Sequence, residues 1–244
     1  HPFVFSTVPM MMRRPILDAF EWNGNELAQF VVIDKQTGQE KKRFKTSAFF
    51  YMHTANSYED DNGDIHMDMV TYPNWQIFTA LLLDTLRYYP EQFVEAVQNT
   101  RLTRFTLPMS DSKKPVIRTE LTDFGFEFPQ YNQKYNGRKY KYVYAAGLKH
   151  NESDFVDCIQ KVNVDTREVL TWYRDGMYPG EPIFVPRPGG EDEDDGVLLV
   201  VALERYKEKS ALVILDAKTM EETAVLPTPI QLNAGIHGIF KSAE

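Results

Sequence analysis

The sequence is poor in the residues that staple, charge or anchor a chain. It has one cysteine, Cys158, in 244 residues. No intrachain disulfide framework can form, and the composition favours a reducing, cytoplasmic compartment. Positive charge is in deficit: 27 Lys and Arg stand against 35 Asp and Glu, a formal charge of −8. That balance gives nucleic acid no electrostatic footprint and repels anionic surfaces. No apolar run approaches the roughly 18–20 residues of a membrane-spanning helix, and no signal peptide is visible. The chain opens on His1-Pro2 without an initiator Met, which raises the expectation of a processed product or a fragment. Familiar catalytic signatures are missing as well: there is no G-x-S-x-G elbow, Gly-rich phosphate loop, C-x-x-C pair or H-E-x-x-H. Serine-hydrolase, nucleotide-binding, thioredoxin and zincin readings lose their support. A carboxylate pair for glycoside hydrolysis stays open, because Asp and Glu are too frequent to single out a pair.

What is present reads mainly as β-structure. Three segments show a β-rich strand, an Asp/Thr turn and a second strand. They are Phe30–Asp34 into Gln39–Phe44, Cys158–Val164 through Asp165-Thr166 into Glu168–Tyr173, and Ala211–Leu215 into Glu221–Leu226. Turns some 50 residues apart suggest propeller blades, with a β-sandwich as the alternative. The apolar spacing over Trp75–Thr100 predicts one or two short amphipathic helices, interrupted near Pro90. The polar segment Arg101–Ser112 reads as a loop-rich connection. The acidic run Glu191–Asp195 before Gly196 reads as a solvated turn, or as an adventitious cation site, leading into the apolar strand Val197–Leu203.

Five histidines are available. His53 follows the aromatic run Phe49-Phe-Tyr-Met, which places its ring at the inner end of a strand. His237 stands between Gly235 and Gly238, which permit close backbone approach. Glu127 and Glu181 occur in otherwise apolar stretches, where a buried carboxylate is costly unless partnered. Metal-bound imidazoles usually donate their second N–H to a carboxylate. Two histidines with two buried glutamates therefore make a sensible pair of ligands with orienting groups. Structural histidines, and glutamates bonded to turn N–H groups, are the alternative.

At these residues the chain resembles the carotenoid cleavage oxygenase family, which includes the animal β-carotene oxygenases and the retinoid isomerohydrolase of the eye. The matching stretches are His53-x-x-Asn56-x-Tyr58-Glu59-Asp60, Phe126-Glu-Phe-Pro-Gln-Tyr-Asn132, Tyr142–Gly147, Glu181-Pro-Ile-Phe-Val185, Glu193-Asp-Asp-Gly196, Leu212–Lys218 and His237-Gly-Ile-Phe240. They follow the family's order over nearly the whole chain. The resemblance implies an all-β, seven-bladed propeller with a helical cap. It also implies a non-haem Fe(II) on the axis, held by four histidines of which three are oriented by glutamates. Carried over by position, His53 resembles the third ligand and His237 the fourth, with Glu127 the partner of His53 and Glu181 that of His237. The family's first two ligands and third glutamate come from its N-terminal half.

The chain thus resembles the C-terminal half. Residues 1–244 are expected to be part of one propeller domain, an incomplete arc with sticky edge strands and a helical insertion at about 75–99, inactive alone. His1 fits the second ligand poorly by spacing. His66 is expected to point outward or pack and His150 to lie in a polar turn, and neither matches a ligand motif. The implied reaction is O2-dependent cleavage of a conjugated C=C bond in a carotenoid or apocarotenoid, giving aldehydes or ketones. Retinyl ester isomerohydrolysis and a non-catalytic propeller are the alternatives. A polyene substrate implies contact with a membrane. Phe3, Phe5 and Met10–Met12 are expected to dip into lipid beside Arg13 and Arg14, with a buried strand and exposed turn as the alternative.

Overall fold

The structure is a computed structural model that describes residues 1–111, 113–150, 152–207 and 209–241. Strand β1 (Phe3–Phe5) pairs with β2 (Phe20–Trp22), and the one-turn helix α1 (Val8–Met11) lies between them in the chain. Strands β3 (Ala28–Ile33) and β4 (Glu40–Thr46) form a hairpin. Next come β5 (Phe50–Glu59), β6 (Ile65–Tyr72), β7 (Arg101–Leu107) and β8 (Ile117–Glu120), a four-stranded antiparallel meander. Helices α2 (Ile77–Ala80), α3 (Leu83–Tyr88) and α4 (Pro90–Gln98) are inserted between β6 and β7. A second meander runs β9 (Phe126–Gln130), β10 (Tyr142–Gly147), β11 (Cys158–Asn163) and β12 (Val169–Tyr173). In the third sheet β13 (Met177–Pro179) and β14 (Ile183–Pro186) share one edge of β15 (Gly196–Glu204), followed by β16 (Lys209–Asp216) and β17 (Glu222–Pro227).

The chain is therefore all-β with a short helical insertion. Sheets in which each strand pairs with the next have the form of propeller blades, and no sheet among the described residues closes on itself. The period-2 pattern explains the third sheet directly. Leu198, Val200 and Ala202 of β15 lie opposite Leu215, Val213 and Ala211 of β16, and all six are fully buried. Each buried Leu or Val contributes about 1.5–3 kcal/mol. The helical run is interrupted near Pro90 as expected, between α3 and α4, although it makes three short helices rather than one or two. Pro90 itself opens α4, since its missing N–H costs nothing at the first helical position.

The three predicted hairpins form, and their turns share one construction. The Oδ1 atoms of Asp34, Asn163 and Asp216 each accept from the N–H groups two and three residues on. Four residues on, Gly38, Arg167 and Met220 adopt φ of 70°, 64° and 64°. The second turn is thus organised by Asn163 together with Thr166, whose hydroxyl accepts from the Glu168 N–H at 3.3 Å. A left-handed residue is ordinary for glycine, but a strained choice for Arg167 and Met220. The turn geometry overrides side-chain preference there.

Two expectations are corrected by tertiary contacts. Arg101–Leu107, read as loop, is β7 in the interior of its sheet. The charge that disguised it is neutralised: Arg104 bonds Asp68 of β6 through two N–H groups at 2.8 and 2.7 Å, and Tyr140 donates to the same carboxylate at 2.6 Å. The acidic run is not a solvated turn throughout, because Glu193 and Asp194 are buried. Glu193 accepts from the backbone of Lys141 and Tyr142. Asp194 meets the buried Lys161 ammonium at 2.6 Å, which also lies 4.2 Å from the centre of the Tyr142 ring. These contacts join the second sheet to the third. Removing one member of such a pair strands a buried charge. Asp194→Ala is expected to lower stability by about 3–5 kcal/mol, read from chemical unfolding, with the Lys161→Met, Asp194→Leu double variant losing clearly less.

Candidate metal centre

Three strand irregularities, each in the first strand of its sheet, build the site. Between Tyr51 and Thr54 strand β5 takes three steps against two on β6. The extra residue falls at Met52–His53 and re-aims the imidazole out of the regular alternation. In β9 three steps from Glu127 to Gln130 match two on β10, and Phe128 takes a left-handed φ of 55° there. A bulky residue in that conformation is held against its own preference, at a cost of order 1–3 kcal/mol. In the third sheet, Pro179 to Ile183 spans four steps against three on β15. Glu181 stands in that break between β13 and β14.

These devices bring the four expected residues together as two pairs. His53 Nδ1 is 2.6 Å from Glu127 Oε2, and His237 Nδ1 is 3.1 Å from Glu181 Oε1. The imidazole centroids are 5.2 Å apart, with ring planes at 75°. A carboxylate acceptor at Nδ1 fixes the N–H there and leaves Nε2 free as a donor to a metal. Burial pulls the His53 imidazole pKa down. The hydrogen bond and charge of Glu127 more than offset this, so the pKa lies above its ordinary value.

Both carboxylates are almost fully buried, and among the described residues neither meets a Lys or Arg. Each is satisfied by neutral donors as well as by its histidine. Glu127 accepts from the Tyr72 hydroxyl and from the Phe128 N–H at 2.9 Å. Glu181 accepts from Gln130 Nε2 at 2.7 Å and from the Gly238 N–H at 2.9 Å. Burial, then the Glu127 charge, push the Tyr72 phenol well above its usual range, so it stays a donor. Tyr72, Phe128 and Gln130 were not singled out by sequence reasoning. Phe128 and Gln130 belong to the quoted stretch Phe126–Asn132, but only the bulge shows that they face the site. Tyr72 carries no local signal.

The glycines act differently from expectation. A side chain at Gly238 would strike Ile183, but Gly235 faces open space; it is Gly180 whose missing Cβ makes room for the Gly235 carbonyl. Of the other histidines, His66 stacks on Tyr58 and bonds Asp60 and Thr106. His150 bonds Asp157 in its turn, and His1 is exposed. Cys158 is buried, and burial pushes its thiol pKa up.

The pairs open on an apolar cavity of about 450 Å³. Ile77, Leu86, Phe93 and Val97 of the helical insertion line it opposite His53, Phe128 and His237. The donor set fits a first-row divalent metal in kind: two oriented imidazoles, close together, beside two carboxylates without a cation. Among the described residues no third His, Cys, Asp or Glu completes a metal-holding cluster, so the two imidazoles suit part of a larger ligand set.

A family model described as retinal pigment epithelial membrane protein (RPE65) matches residues 1–242. The mitochondrial carotenoid-cleaving dioxygenase of Macaca fascicularis is 30% identical over 91% of this chain and 46% of its own length. The chloroplastic carotenoid cleavage dioxygenase 8 of Arabidopsis thaliana is 31% identical over 98% of this chain and 43% of its own. Among solved structures, cobalt-substituted Synechocystis ACO superposes with a TM-score of 0.82 at 26% identity, covering 96% of this chain and 48% of that one. An ACO/RPE65 chimera gives 0.84 at 25% identity, covering 99% and 50%. The chain thus spans about half the length of the relatives it matches. For the site itself, Tyr72→Phe removes a donor from a buried carboxylate. It is expected to cost about 1–3 kcal/mol, read from the urea midpoint; an unchanged midpoint would show that Glu127 does not need that hydroxyl.

Proposed function

This chain belongs to the retinal pigment epithelial membrane protein family, and on that premise we propose that the whole protein is a non-haem Fe(II) dioxygenase cleaving a conjugated double bond of carotenoids or apocarotenoids. The observation that carries the reading is the His53–Glu127 and His237–Glu181 pairs at the end of an apolar cavity. The relatives named above support the substrate class. Residues 1–244 form part of one seven-bladed propeller domain, to which the three larger sheets contribute blades. A bound first-row metal would supply the redox chemistry that activates O2 toward an electron-rich alkene. His53 and His237 hold it through Nε2. Glu127 and Glu181 keep the proton on Nδ1 and fix each ring's direction. Phe128 and the helical insertion exclude water and take up the polyene by burial. Two imidazoles are half of the implied set, so this chain alone does not turn over. The retinyl ester reading has no observation in its favour.

The test is product analysis with the whole protein under 18O2. Aldehyde or ketone products carrying the label are expected. His53→Ala and His237→Ala each abolish their formation, and Glu127→Gln or Glu181→Gln lowers it about 10–100-fold. Label-free products, or cleavage that survives His53→Ala, would sink the reading.

Substrate delivery gives a cytoplasmic protein reason to touch a membrane. No described helix is long and apolar enough to cross one. The one-turn α1 buries nothing, and Phe5, Val8 and Met10–Met12 are exposed, Met11 at 82%. Phe3 does not share that surface, contrary to expectation, because it stacks on Phe20 and packs edge-on against Phe50. The proposed contact is therefore Phe5 and Met10–Met12, with Arg13 and Arg14 at headgroup level. Changing Met10–Met12 to Ser is expected to release the protein from liposomes in a flotation assay; unchanged flotation would remove these residues from the contact.

A further inference from the structure

The His237 ring is the less secure of the two. Its side chain is 61% exposed, against 15% for His53. It belongs to the stretch 228–241, which contains no strand or helix. Besides ring contacts with His53 and Phe128, its hydrogen bonding among the described residues runs through one carboxylate: Glu181 takes the His237 Nδ1–H on Oε1 and the neighbouring Gly238 N–H on Oε2. The direction of the imidazole is then set by the rotation of that carboxylate. Glu181 itself stands in a strand break outside the paired register of β13 and β14, next to Gly180, whose N–H bonds the Val201 carbonyl at 2.8 Å. Among the described residues, the side-chain donor that holds the carboxylate besides His237 is Gln130, whose Nε2 donates at 2.7 Å to the same Oε1 atom that faces His237.

Gln130 closes the short strand β9, three residues beyond Glu127 and two beyond Phe128. Glu127 orients His53. The Phe128 ring packs against His53 at 5.2 Å and against His237 at 6.2 Å. The bulge at Phe128 lets Glu127 and Gln130, an odd number of residues apart, work toward the same centre. We infer that Gln130 is a positioning residue for His237, acting through Glu181, so that one strand sets the direction of both imidazoles. The inference rests on the metal-centre reading only for its consequence, not for its geometry.

Nitrogen-15 NMR of the imidazoles of His53 and His237 in the metal-free whole protein, at a pH where both rings are neutral, tests it. In the wild type both rings are expected to carry the proton on Nδ1, facing their carboxylates. Gln130→Met removes the donor at similar volume, and the milder Gln130→Asn withdraws it by one methylene. In both variants His237 is expected to become a mixture of tautomers while His53 keeps its Nδ1–H form. The Co(II) affinity of the whole protein, read from its visible absorption, is expected to fall about tenfold. An unaltered His237 tautomer overturns the inference, as does an equal change at both rings, which marks a general packing effect. If wild-type protein takes up no Co(II) but the His237-only change appears, the iron reading fails and the positioning role stands.

Discussion

Two carboxylates, Glu127 and Glu181, are buried in this fold without a Lys or Arg partner among the described residues, and much of the local structure answers to that constraint. A buried carboxylate left short of donors costs several times what an ordinary hydrogen bond contributes. Each is satisfied by one imidazole, one backbone N–H and one neutral side chain. Regular strands do not deliver such a set, because alternate side chains point to opposite faces. The bulge in β5, the bulge in β9 and the break between β13 and β14 each add one residue and turn the required groups inward. The left-handed Phe128 is the visible strain of that arrangement.

Those first strands must also keep their places relative to one another, since the two pairs belong to different sheets. Polar ties away from the cavity do this. Asn56, three residues beyond His53, donates to the carbonyls of Tyr135 and Arg138 and accepts from the Gly137 N–H. This locks β5 to the loop after β9. Asp68, Arg104 and Tyr140 join the first sheet to the second. Lys161 with Asp194 joins the second to the third. Buried ion pairs are weak sources of stability but costly to break, which suits elements that must hold a register between sheets. The helical insertion completes the arrangement from the other side. It places apolar side chains across from the imidazoles, so the polar pairs look into an apolar cavity.

Much of this was legible in the sequence, for identifiable reasons. The hairpins turning at Asp34, Asp165-Thr166 and Asp216 announce themselves through local chemistry, a short oxygen near free N–H groups between two β-rich runs, although the part of Asn163 in the second was not read from the sequence. The helical insertion shows in its apolar spacing. His53, His237, Glu127 and Glu181 are picked out as polar residues in apolar surroundings. The misreadings share a cause. Arg101–Leu107 looks like loop because the partner that neutralises Arg104 is 36 residues away. Glu193 and Asp194 look solvated because their donors, Lys141, Tyr142 and Lys161, lie in another sheet. Phe3 looks like an anchor because its cover, Phe20 and Phe50, is remote in sequence.

By itself, then, the sequence determined which residues are able to do chemistry, where strands and turns fall, and which family the motifs resemble, all from information held within a few residues. The resemblance already implied the pairing of His53 with Glu127 and of His237 with Glu181; only the tertiary structure brings them into contact, across 74 and 56 residues. The tertiary structure also decided that Gln130 and Tyr72 stand behind those carboxylates and that the helices close over them. The physical reason is that a carboxylate's partners are chosen by the need to satisfy a buried charge in three dimensions. Which donors come within reach depends on one-residue bulges whose effect on side-chain direction no local pattern records.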